Sequence, residues 1–215
     1  MRVKVAAAAC LVGLVALVAA PAAASPVVSP AAVLAYPSAQ RETGMYGDPA
    51  AAAPYWREQH ASDCGEMAVA DVVGQITRRE PTEQQITALA ESAPSTAHPG
   101  PIWKPPGTTD IRDLPVLLRH YGISADNIQT NTHALTEMLG AHRKIIVILS
   151  AETIWNRPGK PKSANHFVVV TGIDSRSGVV HLNDSAIKTG RDEQVPIATF
   201  ERAWAPNYDS AVVTR

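Results

Sequence analysis

The stretch SDCGEMAVADVVGQ, residues 62–75, places a cysteine at the start of a segment with helical periodicity. Its apolar residues recur three and four positions apart, which predicts an amphipathic helix that begins at Cys64. Asp63, just before it, is a residue type that favours helix N-caps. The partial positive charge at a helix N-terminus favours a thiolate. Cys64 is therefore a candidate nucleophile.

The N-terminus has the features of an export signal. Arg2 and Lys4 precede an apolar run at residues 5–20, and the small residues 22–24 form a suitable cleavage site. The sequence therefore predicts a signal peptide at residues 1–24 and a secreted or envelope-associated mature protein. A retained membrane anchor is the alternative reading of this run, and no later segment is apolar enough to cross a bilayer.

Cleavage after residue 24 would remove Cys10 and leave Cys64 as the single cysteine. One cysteine forms no disulfide framework and supplies too few ligands for a structural zinc site. Cys64 is then either a buried, inert thiol or a nucleophile. No metal or organic cofactor is expected in either case.

Residues 25–54 are rich in alanine, proline and serine without an apolar period, which predicts a flexible segment. The folded domain is expected at residues 55–215, long enough for one hydrophobic core. The net charge of −1 becomes −3 when the two cations of residues 1–24 are removed. Nucleic acid is not expected as a partner, because binding phosphates needs a basic patch.

Helical patterns fill the first half of this domain and strand patterns the second. Helices are predicted at residues 64–78, from Thr82 (which forms a capping box with Gln85), at 110–121 and at 132–142. Strands are predicted at residues 144–150, 165–173, 178–184 and 210–214, with a short helix at 196–204 before the last. Helices followed by an antiparallel sheet indicate the α+β class.

Among the seven histidines, His166 has the most suitable position for a catalytic base. It lies at the start of a strongly apolar strand, where a rigid frame can hold an imidazole in place. His181, on the next strand, is the alternative base. A thiol–imidazole pair usually needs a third group that orients the imidazole.

The hairpin formed by these two strands offers such a group. If Asp174 pairs with Gly178, Asp184 lies on the same face as His166 and diagonal to it, within side-chain reach. A shift of the register by one residue would place Asn183 on that face instead. Either residue could accept a hydrogen bond from the imidazole.

Gln59 lies five residues before Cys64 and is a candidate oxyanion donor. Its amide N–H could act together with the backbone N–H of Cys64 at the helix start. The chain order of glutamine, cysteine, histidine and aspartate or asparagine is more specific than any of these residues alone.

These residues resemble a known family. QHASDCGEMA, followed about 100 residues later by NHFVVVTG and then VHLND, is similar to the double-glycine leader peptidase-like cysteine peptidases. This resemblance implies a papain-like fold, in which Cys64 is the nucleophile, His166 the base and acid, Asp184 the orienting residue and Gln59 the oxyanion donor. Three positions differ. The glutamine is usually six residues before the cysteine, where Glu58 stands here. Glu66 follows Cys64 and Gly65 where a small residue or proline is common, and Ser185 follows Asp184 where proline is common.

The leading hypothesis is a secreted cysteine peptidase that cleaves peptide or protein substrates through a thioester acyl-enzyme. A peptidoglycan stem-peptide hydrolase is one alternative, although such enzymes usually carry serine at the position of Gly65. A catalytically silent, envelope-associated domain that binds peptides is another, with the loops of Trp103 and Trp155 as a binding rim. The sequence leaves the oligomeric state and the substrate open.

Overall fold

A computed structural model of the protein describes residues 43–215. The predicted signal peptide and residues 25–42 of the predicted flexible segment lie outside the described residues. The α-helices are α1 (Pro49–Ala52), α2 (Cys64–Thr77), α3 (Glu83–Ser92), α4 (Leu114–His120), α5 (Thr132–Gly140), α6 (Ala151–Ile154) and α7 (Ile197–Trp204). The strands are β1 (Met45–Gly47), β2 (Ala125–Gln129), β3 (Ile145–Leu149), β4 (His166–Asp174), β5 (Val179–Asn183), β6 (Glu193–Pro196) and β7 (Ser210–Thr214).

The strands form one antiparallel sheet in the order β2-β7-β3-β4-β5-β6, and β1 also pairs with β4. The predicted α+β class is confirmed. Strands β3 and β4 lie in the middle of this sheet and are buried on both faces, which explains their continuous apolar runs.

Helices cover both faces of the sheet, and each face has its own hydrophobic core. On one face, α2, α3 and α4 pack against Phe167 and Val169 of β4. On the other face, α5 and α7 pack against Val168 and Val170, the alternating residues of the same strand. The N-terminus of α2 and the first residue of β4 meet at one end of this sandwich.

Residues 43–54, which the sequence analysis assigned to the flexible segment, are part of the folded domain. Strand β1 pairs with Gly172, Ile173 and Asp174 of β4, and α1 follows it with a side-chain cap from Asp48. The predicted domain start at residue 55 is therefore too late. A three-residue strand and a one-turn helix are too short for their periodicity to be recognised in an alanine- and proline-rich sequence.

Most of the other predicted elements are present. The capping box of Thr82 and Gln85 is confirmed, and Pro115 delays the third predicted helix, whose first turn is a 3-10 helix at Ile111–Asp113. Within residues 43–215, none of the helices is both long enough and apolar enough to cross a bilayer.

Candidate active site

Cys64 is the first residue of the 14-residue helix α2 and is partly exposed. Asp63 precedes the helix, but its side chain makes no capping hydrogen bond. The Asp63 side chain therefore leaves the first N–H groups of α2 uncapped. Gly65 packs tightly, because a Cβ there would lie 3.2 Å from Leu114 and 3.3 Å from Phe167.

His166 is the first residue of β4, and its backbone lies opposite Leu149 of β3. Its side chain connects the thiol and a carboxylate. A hydrogen bond joins it to the Cys64 side chain, and Nε2 lies 2.7 Å from Oδ1 of Asp184. The two side chains of this ion pair are 5% and 0% exposed. The structure thus brings Cys64, His166 and Asp184 together, as the sequence analysis expects.

The surroundings of His166 favour its charged form. Burial is the largest influence and by itself lowers the pKa of the imidazole. The hydrogen bonds and charges of Asp184 and Cys64 outweigh burial and raise the pKa of His166 to about 10. Burial tends to raise the pKa of Asp184, but His166 and the other donors to this carboxylate hold that pKa below its usual value.

The loop after β5 fixes Asp184 through several contacts. Its Oδ1 accepts a hydrogen bond from the backbone N–H of Ala186 at 2.8 Å, and its Oδ2 accepts one from Nε1 of Trp155 at 2.9 Å. Its backbone N–H donates to the carbonyl of Gly190 at 2.8 Å. A Cβ at Gly190 would lie 1.9 Å from the carbonyl oxygen of Asp184, so only glycine allows this close approach.

The register of the β4–β5 hairpin differs from the expected one near its turn. Asp174 pairs with Val179 and not with Gly178, so that prediction is wrong by one residue. The register then shifts by one residue between Val170 and Gly172, where β4 has a bulge. Beyond the bulge, the pairing is the predicted one, because the extra residue in β4 cancels the offset at the turn.

This bulge decides which side chain meets His166. Asn183 pairs with Val169 and therefore lies on the other face of the sheet. There, its Nδ2 donates to Oδ2 of Asp71 in α2 at 2.7 Å and to the carbonyl of Ala52 at 3.2 Å. The alternative in which Asn183 orients His166 is therefore contradicted.

Gln59 lines the same cleft as Cys64, whereas Glu58 lines a neighbouring pocket. The Gln59 Nε2 donates to the carbonyl of Ala61 at 2.7 Å. Its Oε1 accepts a hydrogen bond from the hydroxyl of Ser185 at 2.7 Å, and its backbone N–H donates to the Ser185 carbonyl at 2.8 Å. Two of the three positions that differ from the usual family pattern, Gln59 and Ser185, are thus direct partners.

The alternative base, His181, lies elsewhere. Its Nδ1 lies 2.7 Å from Oδ1 of Asp192, and it does not line the cleft that contains Cys64. Glu66, the residue after Cys64–Gly65, is completely buried and accepts a hydrogen bond from Thr109. Burial raises the pKa of Glu66 to about 7.

An open cleft of about 340 Å³ leads to the cysteine. Gln59 and Ser62, which precede α2, and Cys64 at its start line this cleft. The residues around α6 and the start of β4 also line it, namely Ala151, Glu152, Trp155, Arg157, Pro158, Asn165 and His166. An extended peptide could therefore reach the thiol and the imidazole from solvent.

Three residues near the His166–Asp184 pair were not predicted to lie beside it. Trp155 lies with its ring centroid 5.3 Å from that of His166, and Trp56 donates from Nε1 to the Asp184 carbonyl at 2.5 Å. Glu193 on β6 has a partly buried carboxyl group, and burial together with the charge of Asp184 raises its pKa to about 7. Only the Trp155 loop was noticeable in the sequence, as a possible binding rim.

Comparison with known proteins places the chain among peptidase-like sequences. Residues 53–212 match the Peptidase_C39 like family. The chain belongs to this family. Uncharacterized proteins of Mycobacterium tuberculosis and Mycobacterium bovis are 44% identical to it, over 84% of this chain and 89% of each relative. Membership in this family supports a peptidase-like function at a general level.

Solved structures of the same family share the fold. A C39-like peptidase from Bacillus anthracis covers 80% of this chain and 97% of its own, with a TM-score of 0.60 and 15% identity. A double glycine motif protease from an AMS/PCAT transporter, in complex with the leader peptide, covers 74% and 88% with a TM-score of 0.50 and 16% identity. The fold is therefore papain-like, as the sequence analysis expects.

Proposed function

We propose that this protein is a cysteine peptidase that hydrolyses peptide amide bonds through a thioester acyl-enzyme. The observation that carries the proposal is the hydrogen-bonded line of Cys64, His166 and Asp184 at the wall of an open cleft. Nucleophile, base and orienting group follow one another within hydrogen-bonding reach, which is the arrangement that thiol catalysis needs. Membership in the Peptidase_C39 like family supports the same chemistry.

The pKa of about 10 at His166 makes an imidazolium at neutral pH, which is the form that can donate a proton to a leaving amine. The Cys64 sulfur forms a bond with the carbonyl carbon of the scissile amide. His166 then donates its proton to the nitrogen of the leaving amine, and the C–N bond breaks. In the second half-reaction, His166 takes a proton from water, the hydroxide attacks the thioester, and the thiolate returns.

Gln59 supplies the oxyanion donor in this proposal. Its amide has two N–H bonds, and the carbonyl of Ala61 uses one of them. The hydroxyl of Ser185 holds the amide oxygen, which determines the rotation of the whole amide group. The second N–H of Gln59 and the backbone N–H of Cys64 are then available to the developing negative charge.

The protein would act outside the cytoplasm. The expected signal peptide at residues 1–24 supports export of the domain that follows it. No metal or organic cofactor enters the proposed steps.

A Cys64→Ala variant tests the proposal. We expect hydrolysis of a mixed library of fluorogenic peptides by the purified domain, residues 25–215, and loss of more than about 99% of the rate in the variant. Circular dichroism and thermal unfolding should stay close to those of the wild type. The matched control is His133→Ala, an exposed histidine on α5, which should keep full activity.

Unchanged hydrolysis in Cys64→Ala would refute the assignment. Muropeptides released from purified peptidoglycan, without cleavage of linear peptides, would favour a wall hydrolase. A folded wild-type protein that cleaves nothing and whose cysteine resists alkylation at pH 6 would favour the silent binding domain.

A further inference from the structure

The loop between α6 and β4 places a cation in the cleft that contains the nucleophile. Arg157 is exposed and lines this cleft together with Cys64 and His166. Its guanidinium carbon lies 4.9 Å from the centroid of the Trp155 ring, which is a cation–π contact. The same ring lies 5.3 Å from the ring of His166. Trp155 therefore connects the guanidinium to the imidazole.

The position of Arg157 is defined by the fold around it. The Trp155 ring is fixed, because its Nε1 donates to Oδ2 of Asp184 at 2.9 Å. The backbone N–H of Arg157 donates to the carbonyl of Glu152 in α6 at 2.9 Å. At the other end of the loop, Nδ2 of Asn165 donates to both carboxylate oxygens of Glu152 at 3.1 Å. These contacts hold both ends of the loop against α6.

The guanidinium has hydrogen-bond donors that the fold does not use. Within residues 43–215, the Arg157 side chain contacts Trp155 but forms no hydrogen bond and no ion pair. Glu152 and His166, which also line the cleft, already have hydrogen-bond partners. A guanidinium presents five N–H donors in a planar fork that matches a carboxylate. An anionic group of a bound substrate can therefore pair with Arg157.

The contact between Trp155 and His166 indicates which part of a substrate meets Arg157. In the proposed mechanism His166 gives its proton to the leaving amine, so the residues after the scissile bond lie on the His166 side of the cleft. The guanidinium carbon is at most about 10 Å from the centre of the His166 ring, and an extended chain advances about 3.3 Å per residue. A carboxylate on the first or second residue after the scissile bond is therefore within reach of Arg157.

We propose that Arg157 binds a carboxylate of the peptide substrate on the leaving side of the scissile bond, and so selects substrates that carry one there. The inference rests on the proposed peptidase function and adds a substrate class to it. The carboxylate can come from an acidic side chain or from the C-terminus of a peptide that ends one or two residues after the bond. Both sources present the same two oxygens to the guanidinium.

The first test uses a fluorogenic peptide that the wild type cleaves, with the scissile bond located by mass spectrometry. One set of peptides carries glutamate or glutamine at the first or second residue after this bond and has an amidated C-terminus. A second pair ends two residues after the bond, with a free or an amidated carboxyl group. Within each pair the shape is nearly the same and the charge differs, so the pairs also distinguish the two sources.

We expect kcat/KM at 50 mM salt to be at least about tenfold higher for the carboxylate member of at least one pair. This ratio should fall as salt rises to 0.5 M, because Arg157 is exposed and its charge is screened. Arg157→Gln should reduce the ratio to about twofold or less. The ratio is independent of the fraction of folded or active enzyme, so a partly misfolded variant still gives an answer.

The matched control is Lys162→Gln, which removes the same charge from an exposed position of the same loop that does not line the cleft. Its ratio should equal that of the wild type. Equal rates within every pair in the wild type, or a ratio that Arg157→Gln leaves unchanged, would overturn the proposal.

A binding experiment separates this inference from the proposed function. The probes are dye-labelled alanine pentapeptides, with glutamate or glutamine at the fourth residue of the amide, and the all-alanine peptide as free acid or amide. We expect fluorescence anisotropy to show that Cys64→Ala binds the carboxylate member of at least one pair at least about tenfold more tightly. The Cys64→Ala, Arg157→Gln double variant should lose this difference. Such binding without any hydrolysis by the wild type would support the carboxylate site and refute the peptidase, and hydrolysis without a charge preference would do the reverse.

Discussion

Replacing Asp184 by asparagine should separate the charge of the orienting group from its shape. The two side chains have nearly the same volume, and an asparagine oxygen can still accept from the Ala186 N–H or from Trp155. The negative charge that faces the His166 ring is lost. We therefore expect the pKa of His166 to fall, and the imidazolium that stabilises the Cys64 thiolate to form less readily.

The size of the effect follows from the pKa of His166. Its rise from 6.5 to about 10 corresponds to on the order of 5 kcal/mol in favour of the imidazolium. Asp184 and Cys64 share this stabilisation, and solvent screens it little because both partners of the ion pair are almost fully buried. If Asp184 supplies about half, the variant loses roughly 2–3 kcal/mol, which raises the acid dissociation constant of the His166 imidazolium on the order of a hundredfold.

The assay is an NMR titration of the 15N-labelled His166 ring between pH 5 and 11. The wild-type ring should lose its proton near pH 10, and the ring in Asp184→Asn should lose it about two pH units earlier. Asp192→Asn is the matched control, because it removes the carboxylate that pairs with the other histidine of this hairpin, His181. Equal titration midpoints of His166 in the wild type and in Asp184→Asn would refute the electrostatic argument.

The same variant makes a prediction about stability. The folded-state pKa of His166 lies above its ordinary value, so the pair stabilises the fold fully below about pH 6.5, and this contribution is lost as pH rises towards about 10. Urea unfolding should therefore show the largest destabilisation by Asp184→Asn near pH 6 and the smallest near pH 10. A larger cost at pH 10 than at pH 6 would contradict this sign.

Two further substitutions test neighbouring contacts. Ser185→Ala removes the hydroxyl that holds the Gln59 amide, so kcat should fall about tenfold, while the free energy of unfolding changes by less than about 1 kcal/mol. Ser185→Thr keeps a hydroxyl and should restore kcat. An unchanged kcat in Ser185→Ala would show that Gln59 does not need Ser185 for its orientation. Glu66→Gln removes a buried acid whose pKa is raised to about 7. The free energy of unfolding of the wild type should decrease as pH rises from about 4.5 to 7, because the buried acid must lose its proton. Urea unfolding should therefore show that the variant gains about 3 kcal/mol relative to the wild type between pH 4 and pH 8. The same pH dependence of this free energy in both proteins would contradict the prediction.

Much of the fold could be predicted because its central elements have strong patterns. Helix α2 buries one face with a helical period, and β3 and β4 are apolar without interruption because both of their faces are covered. Strands β2 and β6 were missed. Both lie at the edges of the sheet and contain exposed polar residues, so neither shows an apolar run or a clean alternation.

The sequence by itself determined which chemistry was available: a cysteine at a helix start, a histidine at the start of a buried strand, and an aspartate and an asparagine side by side. It could not determine which of the last two meets His166. If the observed pairing of Asp174 with Val179 continued along the hairpin without a bulge, Asn183 would face His166. The bulge in β4 places Asp184 there instead, because one extra residue exchanges the two faces of the strand. The contact of Ser185 with Gln59 likewise joins distant segments, so only tertiary packing could decide it.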